Sequence, residues 1–132
     1  MPAATVKTVE REALGATATG SDVVEAPFDG VVTEVTYTPT AAVTGAASPA
    51  SRTLSLVNHK QDGSGTTVVA TLALVAGVNL VAFDERALTN SGTASDLAVA
   101  AGDELEFRSA AVGGTGLADP GGTVNVRFER NN

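Results

Sequence analysis

Short runs of alternating apolar and polar residues recur along this chain, separated by Gly, Pro, Asn and Asp. The clearest is Thr123–Glu129. Val124, Val126 and Phe128 face one way there, and Thr123, Asn125, Arg127 and Glu129 face the other. A period of two marks a strand with one buried face. Glu104–Ser109 alternates in the same manner, and a Gly-rich connection, VGGTGLADPGG, joins the two. Arg52–Asn58 turns Leu54 and Leu56 inward, while Thr66–Leu74 aligns Val68, Ala70, Leu72 and Leu74. With the turn Lys60–Gly65 between them, these two runs predict a β-hairpin. Upstream, Ser21–Ala26 and Val31–Thr38 flank Phe28-Asp29-Gly30, an Asp-Gly hairpin signal. Val31, Thr33, Val35 and Tyr37 share one face of the second run, which Pro39 ends because proline cannot donate to a ladder. Thr40–Ser51 is a loop of small residues broken by Gly45 and Pro49. Leu80–Asp84 reads as a near-continuous apolar strand in a central position. Asp96–Ala100 reads as a strand with Leu97 and Val99 inward.

These elements amount to eight or nine short strands without a long helix. Strand edges must be covered or closed, so the expected fold is all-β: an antiparallel β-sandwich, jelly-roll-like. The 132 residues suffice for one core. Residues 21–132 carry the sandwich pattern. Residues 1–20 stand apart as an N-terminal arm, with weak alternation at Thr5, Lys7 and Val9 before a small, polar stretch. Such an arm is either an edge strand plus linker or a segment that orders against a partner.

Composition narrows the chemistry. There is no Cys, so no disulfide framework, thiolate metal site or Cys nucleophile. The net charge is −7, and the 8 cations form no cluster, which argues against nucleic acid and against an anionic membrane surface. The first twenty residues lack the charged and apolar regions of a secretory signal, and no run approaches a membrane span of about 20 apolar residues. A soluble protein made in a cytoplasm is expected.

The candidate chemical residues are few. His59 is the only histidine and opens a polar turn, where a solvent-facing loop residue is expected; no G-x-S-x-G elbow supplies a nucleophile for it. Asp103, Glu104 and Glu106 form an acidic knot, with Asp119 on the following loop. Paired carboxylates could hydrolyse a glycoside or hold calcium. Glu104 and Glu106, however, alternate onto a wet face with Arg108 in the same row, and no D-x-D-x-D-G loop is present. Gly113–Gly116 (GGTG) does not keep the G-x-G-x-x-G spacing, because Asp119 stands where the third glycine would fall. Freedom at a crossover between sheets accounts better for these glycines. No cofactor, metal or catalytic residue is expected.

Two segments together carry a resemblance. Arg52–Leu74, RTLSLVNHKQDGSGTTVVATLAL, and Val99–Arg127, VAAGDELEFRSAAVGGTGLADPGGTVNVR, resemble small decoration or minor capsid proteins of tailed phages, especially those infecting actinobacteria. The resemblance covers most of residues 22–130 and rests on structural motifs. It implies a non-enzymatic virion protein on the outer surface of an assembled head. Such a protein would stabilise capsomer junctions, with the major capsid protein as partner, and would commonly act as a homotrimer. Lys7 and Arg11, the only cations of the arm, then become candidates for contacting the capsid or a neighbouring subunit. A carbohydrate- or receptor-binding module on a phage fibre or head is the alternative. The single Tyr and absent Trp count against a sugar platform. A hydrolase using Asp103, Glu106 and Asp119 is the more remote rival.

Overall fold

A computed structural model of the chain describes residues 3–113 and 116–131. Its strands are β1 (Ala4–Arg11), β2 (Gly20–Glu25), β3 (Gly30–Pro39), β4 (Ser51–Asn58), β5 (Thr67–Leu74), β6 (Arg86–Ala87), β7 (Thr89–Asn90), β8 (Ala98–Val99), β9 (Glu104–Val112) and β10 (Gly122–Arg130). One sheet runs β1-β10-β3-β6, with β8 also on β3; the other runs β2-β9-β4-β5-β7. The pairing is nested: β1 with β10, β2 with β9, β3 with β8, β4 with β5, all antiparallel. This is one long hairpin. Rolling it brings β10 beside β3 and β9 beside β4, which gives the two packed sheets of a jelly roll. The fold is an antiparallel β-sandwich, as the alternation predicts.

The core lies between the sheets. Val32, Val35, Tyr37, Leu54, Leu56, Leu105, Phe107, Val124, Val126 and Phe128 are each 0% exposed. The inward rows expected for β4 and β10 are therefore present, and β4 and β5 form the expected hairpin.

Several expectations need correction. Two strands change phase at β-bulges. In β3, Glu34 pairs with Arg127 and Val32 with Phe128, leaving Thr33 as an extra residue. Val32 rather than Val31 is therefore buried. In β5, Ala70 pairs with Leu56 and Val68 with Val57, leaving Val69 as the extra residue; Val69 is buried and Val68 faces out. One added residue shifts the alternation by one step, which moves every following side chain to the other face. The Asp-Gly turn does not close a hairpin, since β2 and β3 lie in different sheets. Asp29 instead accepts a hydrogen bond from the Ala101 N–H (2.8 Å). Gly30 has a separate constraint, because a Cβ there would lie 2.0 Å from the Glu129 carbonyl oxygen. Leu80–Asp84 is not a strand: Leu80 alone makes a bridge, to Val43, and Val81 and Phe83 project from the surface. Residues 94–97 form a 3₁₀ turn before the short β8.

Of the two readings of the N-terminal segment, the edge strand is the one seen: residues 4–11 pair with β10 from Ala4↔Glu129 to Arg11↔Gly122. Thr5, Lys7, Val9 and Arg11 stand opposite Phe128, Val126, Val124 and Gly122, so they occupy the inward row. The connection from β9 to β10 crosses between sheets, as its glycines suggest, although Gly114 and Thr115 lie outside the described residues.

Removing β1 uncovers the full β10 edge and takes away a buried arginine. Deletion of residues 3–11 is expected to abolish the cooperative thermal transition and to produce aggregates in light scattering. An unchanged melting curve would show that the strand is dispensable.

Candidate functional site

The most concentrated set of polar side chains is buried. At the end of β1 the Arg11 side chain enters the space between the sheets and is 2% exposed. Its Nη1 donates to Asp119 Oδ2 at 2.6 Å and its Nε donates to Asp22 Oδ2 at 2.7 Å. The guanidinium lies 5.0 Å from the centroid of the Phe107 ring, within cation–π range. Asp119 Oδ1 accepts from the Tyr37 hydroxyl, and from the Gly121 N–H at 3.0 Å. Burial works against the Asp119 charge. Hydrogen bonds from Tyr37, Ser109, Gly121 and Arg11 outweigh it and hold the carboxyl below its ordinary range. Burial and the adjoining Asp119 carboxylate push the Tyr37 hydroxyl far above its ordinary value, so this phenol stays protonated and donates.

A second buried arginine adjoins this cluster. Arg52 is 1% exposed, and its partners are mostly backbone carbonyls. Its Nε donates to Leu117 O at 2.5 Å. Its Nη1 donates to Ser109 Oγ at 2.9 Å, and its Nη2 to Gly15 O and Ala18 O, each at 2.9 Å. Burial lowers the Arg52 pKa, while Asp119 nearby favours its charge. The arginine therefore ties two connections to β4, one from β1 to β2 and one from β9 to β10. Leu14 and Asp119 complete the strap with two backbone hydrogen bonds, 2.7 and 2.9 Å.

The acidic residues singled out in the sequence do not converge. Asp103 closes the turn into β9, where its Oδ2 accepts from Ala100 N–H (2.9 Å) and Asn58 Nδ2 (3.1 Å). Asp119 meets Ser109, six residues further along the strand, or about 20 Å away at the usual rise. Glu106 lies on the outer face of its sheet and Glu104 shares that row. Among the described residues no group of three or more His, Asp or Glu side chains could hold a metal.

His59 is a partly exposed loop residue, and both of its ring nitrogens are engaged. Its Nδ1 lies 2.8 Å from the Gly65 carbonyl oxygen and its Nε2 lies 2.8 Å from Glu106 Oε1. Both partners are acceptors, so the doubly protonated imidazolium satisfies both contacts. The Glu106 hydrogen bond, followed by the Gly65 carbonyl, raises the His59 pKa above its ordinary 6.5. The Ser21 hydroxyl and His59 in turn lower that of Glu106. The Ser21 hydroxyl meets the carboxylate rather than the imidazole. This reverses the order of a nucleophilic triad, in which the histidine must stand between acid and hydroxyl.

The two proposed contact cations part company. Arg11 is withdrawn into the cluster and cannot reach a capsid or subunit surface without breaking two ion pairs. Lys7 is exposed, at an inward-row position on an edge strand. A charge placed there keeps another strand from docking along the edge. Tyr37 stands on the face the alternation assigns to it, whereas no motif marks Arg52 or Ser109 as part of a polar cluster. A charged residue in an inward row is the available signal, since Arg52 shares its row with Leu54 and Leu56 and Arg11 shares one with Val9. Among the open clefts of the described residues is one of about 420 Å³ beside β5 and β7, lined by Val68, Ala70, Thr71, Asn90, Ser91 and Asp96 among others; another, of about 410 Å³, lies beside Lys60, Gln61, Asp62, Ser64 and Asp103.

The sequence matches no family model and no curated protein. Among solved structures, the crystal structure of FlhE is similar with a TM-score of 0.53 at 17% identity, over 99% of this chain and 98% of that one. A chain from the structure of infectious bursal disease virus, Gx strain, gives a TM-score of 0.36 at 16% identity, over 98% of this chain and 33% of that one. The FlhE likeness concerns the fold alone. The viral one is too distant to carry an argument.

The His59–Glu106 contact sets a pH dependence. A histidine with a raised folded pKa contributes stability that is full below its unfolded value and is lost as pH rises through the folded one. A depressed glutamate contributes above its unfolded value and loses this as pH falls. The melting-temperature difference between the protein and a His59→Gln variant is therefore expected to be largest near pH ~5.5 and smaller at pH ~9. A difference that is flat with pH would show that the pair carries no charge-dependent stability.

Proposed function

We propose that this chain is a structural, non-enzymatic virion protein that binds the outer surface of an assembled phage capsid and stabilises its capsomer junctions. The observation that carries this reading is how the chemically capable side chains are used. Arg11, Tyr37, Arg52, Asp103 and Asp119 are buried and engaged in holding strands and connections together. His59 has both ring nitrogens occupied. What the surface offers is shape and contact. A rolled sandwich whose connections are strapped to its strands can bear load between neighbours. The net charge of −7 suits attachment outside a head, away from packaged nucleic acid. The major capsid protein is the partner in this reading, and a homotrimer would add avidity across a junction without requiring tight single contacts.

The hydroxyl-rich cleft beside β5 favours a second reading, a carbohydrate- or receptor-binding module. Its lining mixes Thr, Ser, Asn and Asp with Val68 and Ala70, hydroxyls and an apolar patch of the kind a neutral polyol meets, and no Lys or Arg lines it.

Purified protein mixed with phage heads that lack it is expected to co-sediment saturably, at a fixed ratio to the capsid subunit. Absence of co-sedimentation would defeat the capsid reading. If glycan binding were found instead and was lost in Asn90→Ala, the second reading would replace it.

A further inference from the structure

The loop between Leu80 and β6 holds a feature that the fold does not use. Phe83 is 75% exposed and Val81 is 60% exposed, whereas the other three phenylalanines are buried in the core. Phe83 also has φ = 59°, in the left-handed region that bulky side chains avoid. The conformation is held in place from several sides. The Phe83 N–H donates to Pro39 O at 2.8 Å, and the Asp84 N–H donates to Val81 O at 3.1 Å. Leu80, at the base, is buried and exchanges two backbone hydrogen bonds with Val43, 2.8 and 3.0 Å. A strained backbone on a firm base thus displays a large ring to solvent. Strain kept without any return in core packing is a mark of function. A pre-organised aromatic is the usual centre of a binding hot spot.

The charges beside the ring indicate what it meets. Asp84 and Glu85 follow it and are exposed. Arg86 bends back, with Nη1 3.3 Å from the Asn79 carbonyl oxygen. Arg86 keeps its charge, so residues 84–86 set two carboxylates against one guanidinium, a net negative charge beside the ring on a chain whose net charge is −7. A second copy would bring net negative charge against net negative charge, whereas a pocket with a basic rim is complementary. We propose that Phe83, supported by Val81, is the anchor with which this chain docks into an apolar, Lys/Arg-rimmed pocket on the outer face of the capsid subunit. This inference rests on the capsid-binding reading and adds the contact that would carry it.

The left-handed backbone supplies a clean test. Glycine accepts this conformation freely, so Phe83→Gly removes the ring without disturbing the loop. The variant is expected to melt at the same temperature as the parent protein or higher, and to bind phage heads at least about thirtyfold more weakly. Phe83→Asn, which also tolerates the left-handed region, should lose binding equally, and Phe83→Trp should retain it. Glu85→Lys should slow association and reverse part of its salt dependence. Undiminished head binding by Phe83→Gly would overturn the anchor and leave the capsid reading standing. A lower melting temperature with full binding would also overturn it, by assigning the ring to the fold. Failure of the parent protein itself to bind heads would overturn the capsid reading and this inference together.

Discussion

A buried carboxylate is the constraint on which much of this sandwich depends. Asp119 lies between the sheets, where an unpaired charge is too costly to keep. Its partners come from separate parts of the chain: Arg11 from β1, Tyr37 from β3, Ser109 from β9, and the Gly121 N–H from the turn before β10. Arg11 recruits Asp22 from β2 at the same time. Each partner satisfies the charge only if its own strand is in register. Beside them Arg52 collects carbonyls from both connections. A set of charges that would each be unfavourable alone thereby specifies one arrangement of both sheets at this end of the roll.

How far this could be read in advance varied from element to element. The alternation of β10 and β4 gave correct inward rows because those segments offer a single phase. β3 and β5 failed at Val31-Val32 and Val68-Val69, where adjacent valines allow either phase and a bulge decides between them. The Asp-Gly signal marked the break between β2 and β3 but not the hairpin expected of it. Local turn chemistry does not encode which sheet the next strand joins, and nested pairing sent β3 to the other one. Leu80–Asp84 is apolar throughout, and periodicity cannot separate a buried strand from a loop that presents its side chains outward. The buried cluster was the least legible part. Arg11 and Asp119 are 108 residues apart, and only the rolled topology brings them together.

Of the polar side chains that suggested chemistry, Asp103 and Asp119 are drawn inward and occupied, while His59 and Glu106 pair with each other at the surface. Apolar ones that should have been inward, Val81 and Phe83, are held outward on a strained turn. Lys7, exposed on the edge strand β1, places a charge where another strand would otherwise pair.

The central claim, that the Asp119 cluster holds the sandwich together, is tested most directly by equilibrium urea unfolding of Asp119→Asn and Arg11→Met, singly and combined. Removing one partner of a buried pair leaves the other charge uncompensated. Each single change is therefore expected to cost about 3–5 kcal/mol, with the double variant well short of their sum. Single variants within about 0.5 kcal/mol of the parent, or costs that simply add, would contradict the account.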